Sequence, residues 1–351
     1  MLYPVQLFLQ FSVFIKVPSV VCGTLISIEI LDTDMINITT QAHGAHAGFA
    51  GVAVLLPAYN EELAVAETVR GFLQALPGCT VIVCDNCSTD ATAELARQSG
   101  AVVIHEPLRG KGNAVRRLLN SVDADIYVMA DADTTYDPLA AVEMIALMKR
   151  DHLDLVTGVR QHTDPSAYRR GHVIGNSMFN KLFEGLFQVR TADVFSGYRI
   201  ISGRFARALC VQSSGFEVET ELTAIAAVLK LSVAERPVKY SARPEGSSSK
   251  LKTYSDGFRI LKTYFLLLQH FHPSRFYGFF AILFALTSLG LGFPVVTEFF
   301  HTGLVPRFPT AILASSIGLI AVIFFVLSIL LDILAKIRLE QRQLVLRSYR
   351  P

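Results

Sequence analysis

The chain has 351 residues, of which 51% are hydrophobic, and its mean hydropathy is +0.41. Both values are high for a wholly soluble protein of this length and indicate a membrane-attached part. The formal net charge of +2 gives no electrostatic basis for bulk nucleic-acid binding, and the five scattered cysteines do not show the pattern of a disulfide framework.

The first 50 residues are predicted to be an N-terminal extension of poorly defined structure. Leu2 to Ile15 is apolar, but Lys16 and Pro18 interrupt the run and acidic residues follow it. A signal peptide is disfavoured because the segment lacks a basic n-region and a small-residue cleavage site. We expect a loosely ordered or interfacial extension, and the alternative is a third membrane span.

The second predicted domain, residues 51–250, alternates short apolar runs with helical patterns. The predicted strands are Val52–Leu56, Thr80–Cys84, Ala101–His105, Ile126–Ala130 and Leu153–Gly158, and the predicted helices are Glu62–Leu76, Ala91–Ser99 and Asn113–Ser121. Strands that alternate with helices predict right-handed crossovers and a mainly parallel sheet. Ligands of such sheets bind beyond the carboxyl ends of the strands.

Polar motifs follow the first two strands. Pro57-Ala-Tyr-Asn-Glu-Glu62 follows the first, and Asp85-x-x-Ser-x-Asp90 follows the second. The Asp85 carboxylate suits a hydrogen bond from a base ring N–H, whereas Asp90 suits a helix cap; the alternative is that both acids only order turns. Cys84 and Cys87 have no second ligand pair nearby, so we interpret them as a strand cysteine and a loop cysteine.

Two further motifs follow the third and fourth strands. Arg109-Gly-Lys111-Gly-Asn113 is a basic loop opening a helix, without the longer glycine-rich pattern of a kinase-like phosphate loop. A plain basic turn is the alternative. Asp131 and Asp133 alternate along an extended chain, so both carboxylates face one side. Two hard oxygen ligands suit a divalent cation that grips a substrate diphosphate, although Asp-x-Asp is also common in turns.

The C-terminal part is predicted to lie at and in a membrane. Residues 251–275 contain a basic amphipathic stretch, which favours an interfacial helix over an ordinary domain helix. Phe276–Thr297 and Phe308–Leu331 carry no charge and are long enough to cross a bilayer, so residues 276–335 are predicted to form a transmembrane hairpin. Residues 336–351 are basic, which predicts a cytoplasmic tail and both hairpin ends inside. The alternative is two buried core helices.

The motifs together resemble glycosyltransferase family 2. The resemblance rests on the strand-end motifs named above, with the basic loop read as Gly110-Lys-Gly-Asn-Ala114. Asp193-Val-Phe-Ser-Gly-Tyr-Arg199, Gly215-Phe-Glu-Val-Glu219 and Arg243-Pro-Glu-Gly-Ser-Ser-Ser-Lys250 resemble the polyprenyl-phosphate sugar synthase branch, which includes dolichol-phosphate mannose synthase. The resemblance covers about residues 51 to 270. It implies an α/β GT-A fold, which is Rossmann-like, and a hexosyltransferase.

The resemblance also implies ligands and site residues. The ligands would be a nucleotide-sugar donor, Mg²⁺ or Mn²⁺, and a polyprenyl phosphate acceptor. At matching positions, the donor nucleotide would be bound by Pro57, Tyr59, Glu61, Asp85, Lys111, Asp131 and Ala132. The metal would be bound by Asp131, Asp133 and Thr135, and Thr135 departs from the Gln that many members carry at its position. Catalytic roles are implied for Asp131, Asp133, Arg199, Glu217 and Glu219, and phosphate or acceptor binding for Arg160, Arg199, Arg243, Ser248 and Lys250.

Several of these residues also have structural interpretations. Arg199 suits a structural ion pair, and Arg160 suits a solvated loop position. Glu217 and Glu219 suit loop ordering or pairing with these arginines, and the serines at 247–249 suit a flexible link.

Our hypothesis is an inverting transfer of a hexose from a UDP- or GDP-linked donor to a polyprenyl phosphate. The alternatives are a membrane glycosyltransferase with a glycolipid or polysaccharide acceptor, a nucleotidyltransferase, and an inactive nucleotide-sugar-binding scaffold. A processive polysaccharide synthase is disfavoured because the chain has no Trp and few spans. A homo-oligomer is left open, and no nucleic-acid partner is expected.

Overall fold

The computed structural model of the protein describes residues 16–21, 24–31, 35–38, 49–162, 170–241, 262 and 264–348. The strands are β1 (Lys16–Val21), β2 (Thr24–Leu31), β3 (Met35–Ile38), β4 (Val52–Ala58), β5 (Thr80–Asp85), β6 (Val102–His105), β7 (Val122–Asp123), β8 (Ile126–Met129), β9 (Leu155–His162), β10 (Arg199–Ser202) and β11 (Val233–Tyr240). The helices of the sheet domain are α1 (Val65–Ala75), α2 (Thr92–Gln98), α3 (Lys111–Ser121), α4 (Leu139–Asp151), α5 (Arg170–Phe187), α6 (Gly203–Ala208) and α7 (Val218–Val228).

A seven-stranded sheet in the order β11-β9-β10-β8-β4-β5-β6 forms the centre of the domain. Strand β10 runs antiparallel to β8 and β9, whereas the other neighbours run parallel. The predicted mainly parallel α/β sheet is therefore confirmed.

Helices cover both faces of this sheet, as the uninterrupted apolar strands require. Alternate residues of β4 enter two different cores: Val54 packs with Phe72 of α1, and Leu55 packs with Leu118 of α3. The carboxyl ends of β4, β5 and β8 consequently open at one edge, between the helix layers.

A second, smaller sheet lies within the predicted N-terminal extension. Strands β1, β2 and β3 form an antiparallel meander, and β3 pairs in parallel with β7 through Ile36 and Val122. Strands at these positions differ from the loosely ordered extension that we expected. Their β-branched residues, which favour a pleated conformation, provide a physical reason.

Two long apolar helices end the described chain. They are α9 (Pro273–Thr302) and α10 (Phe308–Ser348), and a short helix over residues 264–271, α8, precedes them. Both α9 and α10 are long and apolar enough to cross a membrane. They pack against each other, with Ser288 Oγ of α9 donating to the Ala314 carbonyl of α10 over 2.8 Å. Small residues that allow close approach are typical of such pairs.

About half of the predicted interfacial segment, residues 251–261 and 263, lies outside the described residues. Within α8, Leu267 is buried against Phe183 of α5, whereas Phe265 and Leu266 are exposed. The described part thus packs one face on the domain and leaves another apolar face open.

The last turns of α10 contact the sheet domain again. Helix α10 packs on α6, and Leu339 and Leu346 cover the core that contains Phe205. The predicted basic tail therefore continues the second long helix as far as Ser348.

Candidate active site

An ammonium group between two carboxylates lies at the open edge of the sheet. Asp131 follows β8, Lys111 begins α3, and Glu219 lies in the first turn of α7. Lys111 Nζ contacts Asp131 Oδ1 and lies 2.6 Å from Glu219 Oε1. The Asp131 side chain is 26% exposed, whereas that of Glu219 is only 4% exposed. The Lys111 ammonium thus binds two acids, of which Asp131 is partly exposed to solvent and Glu219 is buried.

Electrostatics keep this lysine charged. Burial alone would lower the pKa of Lys111, but the charges of Asp131 and Glu219 outweigh burial and hold it above its ordinary value. Burial raises the pKa of Glu219, and the Lys111 charge opposes that rise. A buried acid with a hydrogen-bonded ammonium avoids the large cost of an unpaired internal charge.

The two glycines beside Lys111 allow the loop to approach α7 closely. Gly112 N donates to the Ser214 carbonyl over 3.1 Å. A Cβ at Gly110 or Gly112 would collide with the backbone carbonyls of residues 214 and 213, and Gly110 has a φ of +137°. Only glycine satisfies both conditions at position 110. This contact fixes the backbone of Lys111 relative to the start of α7.

Asp133 lies deeper than Asp131. It is 1% exposed, and its Oδ1 accepts hydrogen bonds from Thr135 Oγ1 at 2.5 Å and Thr135 N at 3.2 Å. Thr134 between them has a φ of 60°, and its N–H donates to Thr68 Oγ1 of α1. The structure therefore brings Asp133 and Thr135 together, while the Asp131 carboxylate faces Lys111.

The two loops predicted to face the nucleoside are joined by hydrogen bonds. Asn60 N donates to Ser88 Oγ over 3.0 Å, and Thr89 N donates to Asn60 Oδ1 over 2.9 Å. Asn60 has a φ of 51°, which Asn tolerates better than most residues. Tyr59 lies under the Arg109 guanidinium, 4.2 Å from ring centroid to Cζ. Pro57 is the next-to-last residue of β4 and pairs opposite Cys84, and Ala132 is buried in the core.

Asp85 organises the second loop and also holds a histidine. Its Oδ1 accepts from Ser88 N over 3.3 Å, and its Oδ2 lies 3.2 Å from His105 Nδ1. His105 Nε2 lies 2.9 Å from Arg97 Nη2, an invariable donor, so the ring donates from Nδ1 to Asp85. The Asp85 carboxylate is 9% exposed.

The helix-cap interpretation fits the neighbouring acid. Asp90 Oδ1 accepts from Thr92 N over 3.0 Å at the start of α2, and its Oδ2 accepts from Glu62 N. Glu61 N donates to Thr92 Oγ1 over 2.8 Å, so Glu61 also joins the two loops. Cys84 is buried in β5 and Cys87 is exposed in the loop, as predicted, and both are free thiols.

Arg160 forms a two-pronged ion pair at the end of β9. Its Nε and Nη2 donate to the two carboxylate oxygens of Asp193 over 2.7 and 2.8 Å, and its Cζ lies 5.6 Å from the Tyr240 ring centroid. The Arg160 side chain is 23% exposed. Arg160 is therefore not a solvated loop residue, because Asp193 fixes its guanidinium in one orientation. The partly exposed planar cation is still accessible to a ligand.

Arg199 is placed in the core rather than at the rim. It has 0% exposure, and it donates to the carbonyls of Ser196 and Val194 and to Thr223 Oγ1 over about 2.9 to 3.0 Å. Burial lowers the pKa of its guanidinium. These contacts support the structural alternative rather than contact with phosphate, although the partners are neutral groups and not the ion pair that we considered.

The remaining predicted residues are divided between loop order and the part of the chain that is not described. Glu217 Oε1 accepts from Gly215 N over 3.1 Å, which orders the loop before α7. Among the described residues, neither Glu217 nor Glu219 forms an ion pair with an arginine; Glu219 pairs with Lys111 instead. Arg243, Ser248 and Lys250 lie outside the described residues.

Three contributing residues had no assigned role in the sequence analysis. Asp193 holds Arg160, and Asn86 holds the basic loop by accepting from Gly110 N over 2.6 Å. Gly197 backs onto the Asp131 carboxylate, because a Cβ there would lie 3.0 Å from its Oδ2. The motifs around Asp193 and Asp85 were recognised, but no spacing rule relates them to their partners.

The sheet with its single antiparallel strand, and with acids at its carboxyl edge, has the GT-A fold. The family described as Glycosyl transferase family 2 matches residues 53–208, and the chain belongs to this family. Glycosyltransferase AglJ of Haloferax volcanii is 31% identical over 243 residues, which cover 69% of this chain and 79% of that protein. The predicted fold, family and enzyme class are thereby confirmed.

Two further similar proteins have names that state what those proteins act on or bind. A dolichyl-phosphate hexose transferase of Haloferax volcanii is 28% identical over 216 residues, which cover 61% of this chain and 92% of that protein. The crystal structure of Mycobacterium tuberculosis glucosyl-3-phosphoglycerate synthase with Mn²⁺, UDP and glucosyl-3-phosphoglycerate has a TM-score of 0.52 at 23% identity, covering 66% of this chain and 86% of that one. At that identity the likeness concerns the fold.

Proposed function

We propose that the protein transfers a hexose, with inversion, from a UDP- or GDP-linked donor to a polyprenyl phosphate at the cytoplasmic face of a membrane. The single observation that carries the lipid acceptor is the return of α10 to the catalytic domain. Leu339 and Leu346 pack on the domain core, and the same helix continues into a long apolar segment. This contact holds the domain next to the apolar helices, and a membrane around those helices would put the domain at the depth of a lipid headgroup.

The protein's chemistry toward the donor centres on Asp131 and Lys111. A divalent cation fits here because the solvent-facing Asp131 carboxylate already holds a cation, the Lys111 ammonium. Among the described residues, no group of three or more His, Cys, Asp or Glu side chains is arranged as a metal cage. In our proposal, Asp131 and Asp133 would share Mg²⁺ or Mn²⁺ with the donor diphosphate and water. When bound, the metal would stabilise the charge on the leaving diphosphate.

The nucleophile of the proposed reaction needs no strong general base. An oxygen of the lipid phosphate is ionised near neutral pH, attacks the anomeric carbon, and forms a new C–O bond as the bond to the nucleoside diphosphate breaks. The chain's residues would align the reactants and place positive charge near both phosphates. Arg160 is a suitable ligand for the acceptor phosphate, since Asp193 fixes its planar fork at the edge of β9.

A transfer assay tests the proposal. Membranes that contain the protein are incubated with polyprenyl phosphate and labelled UDP-glucose, UDP-N-acetylglucosamine or GDP-mannose, and the lipid extract is examined for mild-acid-labile label. We expect label from one donor, and loss of label in Asp131→Ala and Asp133→Ala, by about a thousandfold if the metal is lost. Label in a water-soluble or glycolipid acceptor instead, or wild-type rates in both variants, would contradict the proposal.

A further inference from the structure

Lys111 occupies one side of the carboxylate that the proposed metal would use. Its ammonium lies between two acids on different elements: Asp131 in the loop after β8, and Glu219 in α7. Glu219 Oε2 is buried and has no hydrogen-bond partner among the described residues. An ammonium has three donors, so Glu219 has the capacity to take a second hydrogen bond from Lys111.

We propose that Lys111 competes with the divalent cation for Asp131, and that Glu219 is the positioning residue that holds the ammonium when the cation binds. The inference rests on the proposed function only in taking Asp131 as a metal ligand. A carboxylate oxygen about 2.0 to 2.1 Å from Mg²⁺ has little room for an ammonium, and the two positive charges repel each other. The ammonium therefore moves toward the acid that the metal does not contact.

The local backbone confines this movement to the lysine side chain. Gly112 N is bonded to the Ser214 carbonyl, so the start of α3 and the approach to α7 are fixed to each other. Glu219 lies in α7 and is nearly fully buried. The four-carbon stem of Lys111 is flexible, so a short swing from Asp131 toward Glu219 needs no loop rearrangement.

The charge balance gives Glu219 its role. Asp131, Asp133 and Glu219 contribute three negative charges and Lys111 contributes one positive charge, which leaves two for a divalent cation to neutralise. Without the charge of Glu219, Lys111 would pair with Asp131 alone. The metal would then have to displace the ammonium into a place without a counter-charge, and metal binding would weaken.

Direct Mn²⁺ binding tests the inference without a sugar nucleotide. Free Mn²⁺ is measured by electron paramagnetic resonance during titration of the full-length protein in detergent. Glu219→Gln should raise the Kd for Mn²⁺ by about tenfold, the lower end of losing an outer-shell partner. Lys111→Met combined with Glu219→Gln should restore a Kd equal to or below that of the wild type, because the competitor is gone. The double variant removes both charges of the Lys111–Glu219 pair, so no unpaired buried charge remains to destabilise its fold.

Glu221→Gln is the matched control. Glu221 is a buried acid in the same helix, but it accepts from the backbone N–H groups of Gln212 and Ser213 rather than from an ammonium. The Kd of the Glu221→Gln variant for Mn²⁺ should stay within about twofold of the wild-type value if only the acid in contact with Lys111 affects metal binding. Thermal unfolding of each variant identifies a fold defect separately.

Two results would overturn the inference. One is an unchanged Kd in Glu219→Gln, and the other is a double variant as weak as Glu219→Gln, which would make Glu219 act on the metal itself. The transfer assay separates this from the proposed function. The predicted order of Mn²⁺ affinities without transfer to polyprenyl phosphate would refute the function and support the inference, whereas transfer without that order would refute the inference alone.

Discussion

Replacement of Gly197 by alanine is a small change with a calculable effect on the candidate site. A Cβ at this position would lie 3.0 and 3.2 Å from the two Asp131 carboxylate oxygens and 3.2 Å from Lys111 Nζ. Ordinary contact begins at 3.4 Å, so the carboxylate must move by about 0.4 Å. That is about twice the 0.2 Å tolerance of a metal–ligand distance.

The expected result is a loss of rate without a loss of stability. Misplacement by about 1 Å costs about a hundredfold, so about 0.4 Å should lower kcat by roughly sixfold, or about 1.1 kcal/mol in the barrier. Alanine also restricts the unfolded chain, which contributes roughly 0.4 to 1 kcal/mol of stability and offsets the contact strain. Initial rates of sugar transfer and thermal unfolding, measured on one preparation, separate the two effects.

Gly185→Ala provides the control for this experiment. A Cβ at Gly185 of α5 meets nothing within 4 Å. This variant should keep the wild-type rate and gain roughly 0.5 to 1 kcal/mol of stability from helix propensity. A wild-type kcat in Gly197→Ala, with normal unfolding, would mean that Asp131 and Lys111 do not control the transfer step.

Three other predictions follow from single contacts. Arg160→Lys loses the planar fork, so the KM for the lipid phosphate should rise by about tenfold, with the donor KM unchanged; equal rises in both would contradict acceptor binding. Leu346→Ala should destabilise the protein by about 1 to 2 kcal/mol in denaturant unfolding, whereas Leu344→Ala, at a 63% exposed position, should have little effect; equal losses would argue against docking. Burial raises the pKa of Cys84 to about 12, so its thiol is neutral at pH 8 and should resist alkylation, while the exposed Cys87 is modified; mass spectrometry that finds both labelled at equal rates would refute this.

The strands of the sheet were predictable because their apolar runs are bounded by turn residues. The five predicted strands correspond to β4, β5, β6, β8 and β9 and begin within two residues of their predicted starts, whereas β10 and β11 were not predicted. The largest difference among the five is at β9, which continues to His162. That extension arises because β11 pairs with β9 along its whole length, through Leu155 to His162. A partner strand more than 70 positions later adds backbone hydrogen bonds that no local pattern reports.

The site residues were identified more easily than their partners. The Asp131-Ala-Asp133 motif marks the edge of the sheet, but two acids of the same type receive different environments there: Asp131 faces Lys111 and Asp133 accepts from Thr135. Arg199 shows the converse. An arginine in a conspicuous motif suggests a phosphate ligand, yet carbonyls of its own loop and a hydroxyl of α7 surround it. Burial of that kind depends on how α7 packs, which spacing in the chain does not encode.

The 41 residues of α10 form one uninterrupted helix that runs from the apolar segment past Leu346 to Ser348. Each residue inserted between the apolar segment and Leu346 would move the docked domain about 1.5 Å along the helix axis and turn it by about 100°. Two added residues would turn the candidate site almost backwards, whereas seven would restore its direction about 10 Å farther away. The length of this segment and its helical phase are therefore constrained together.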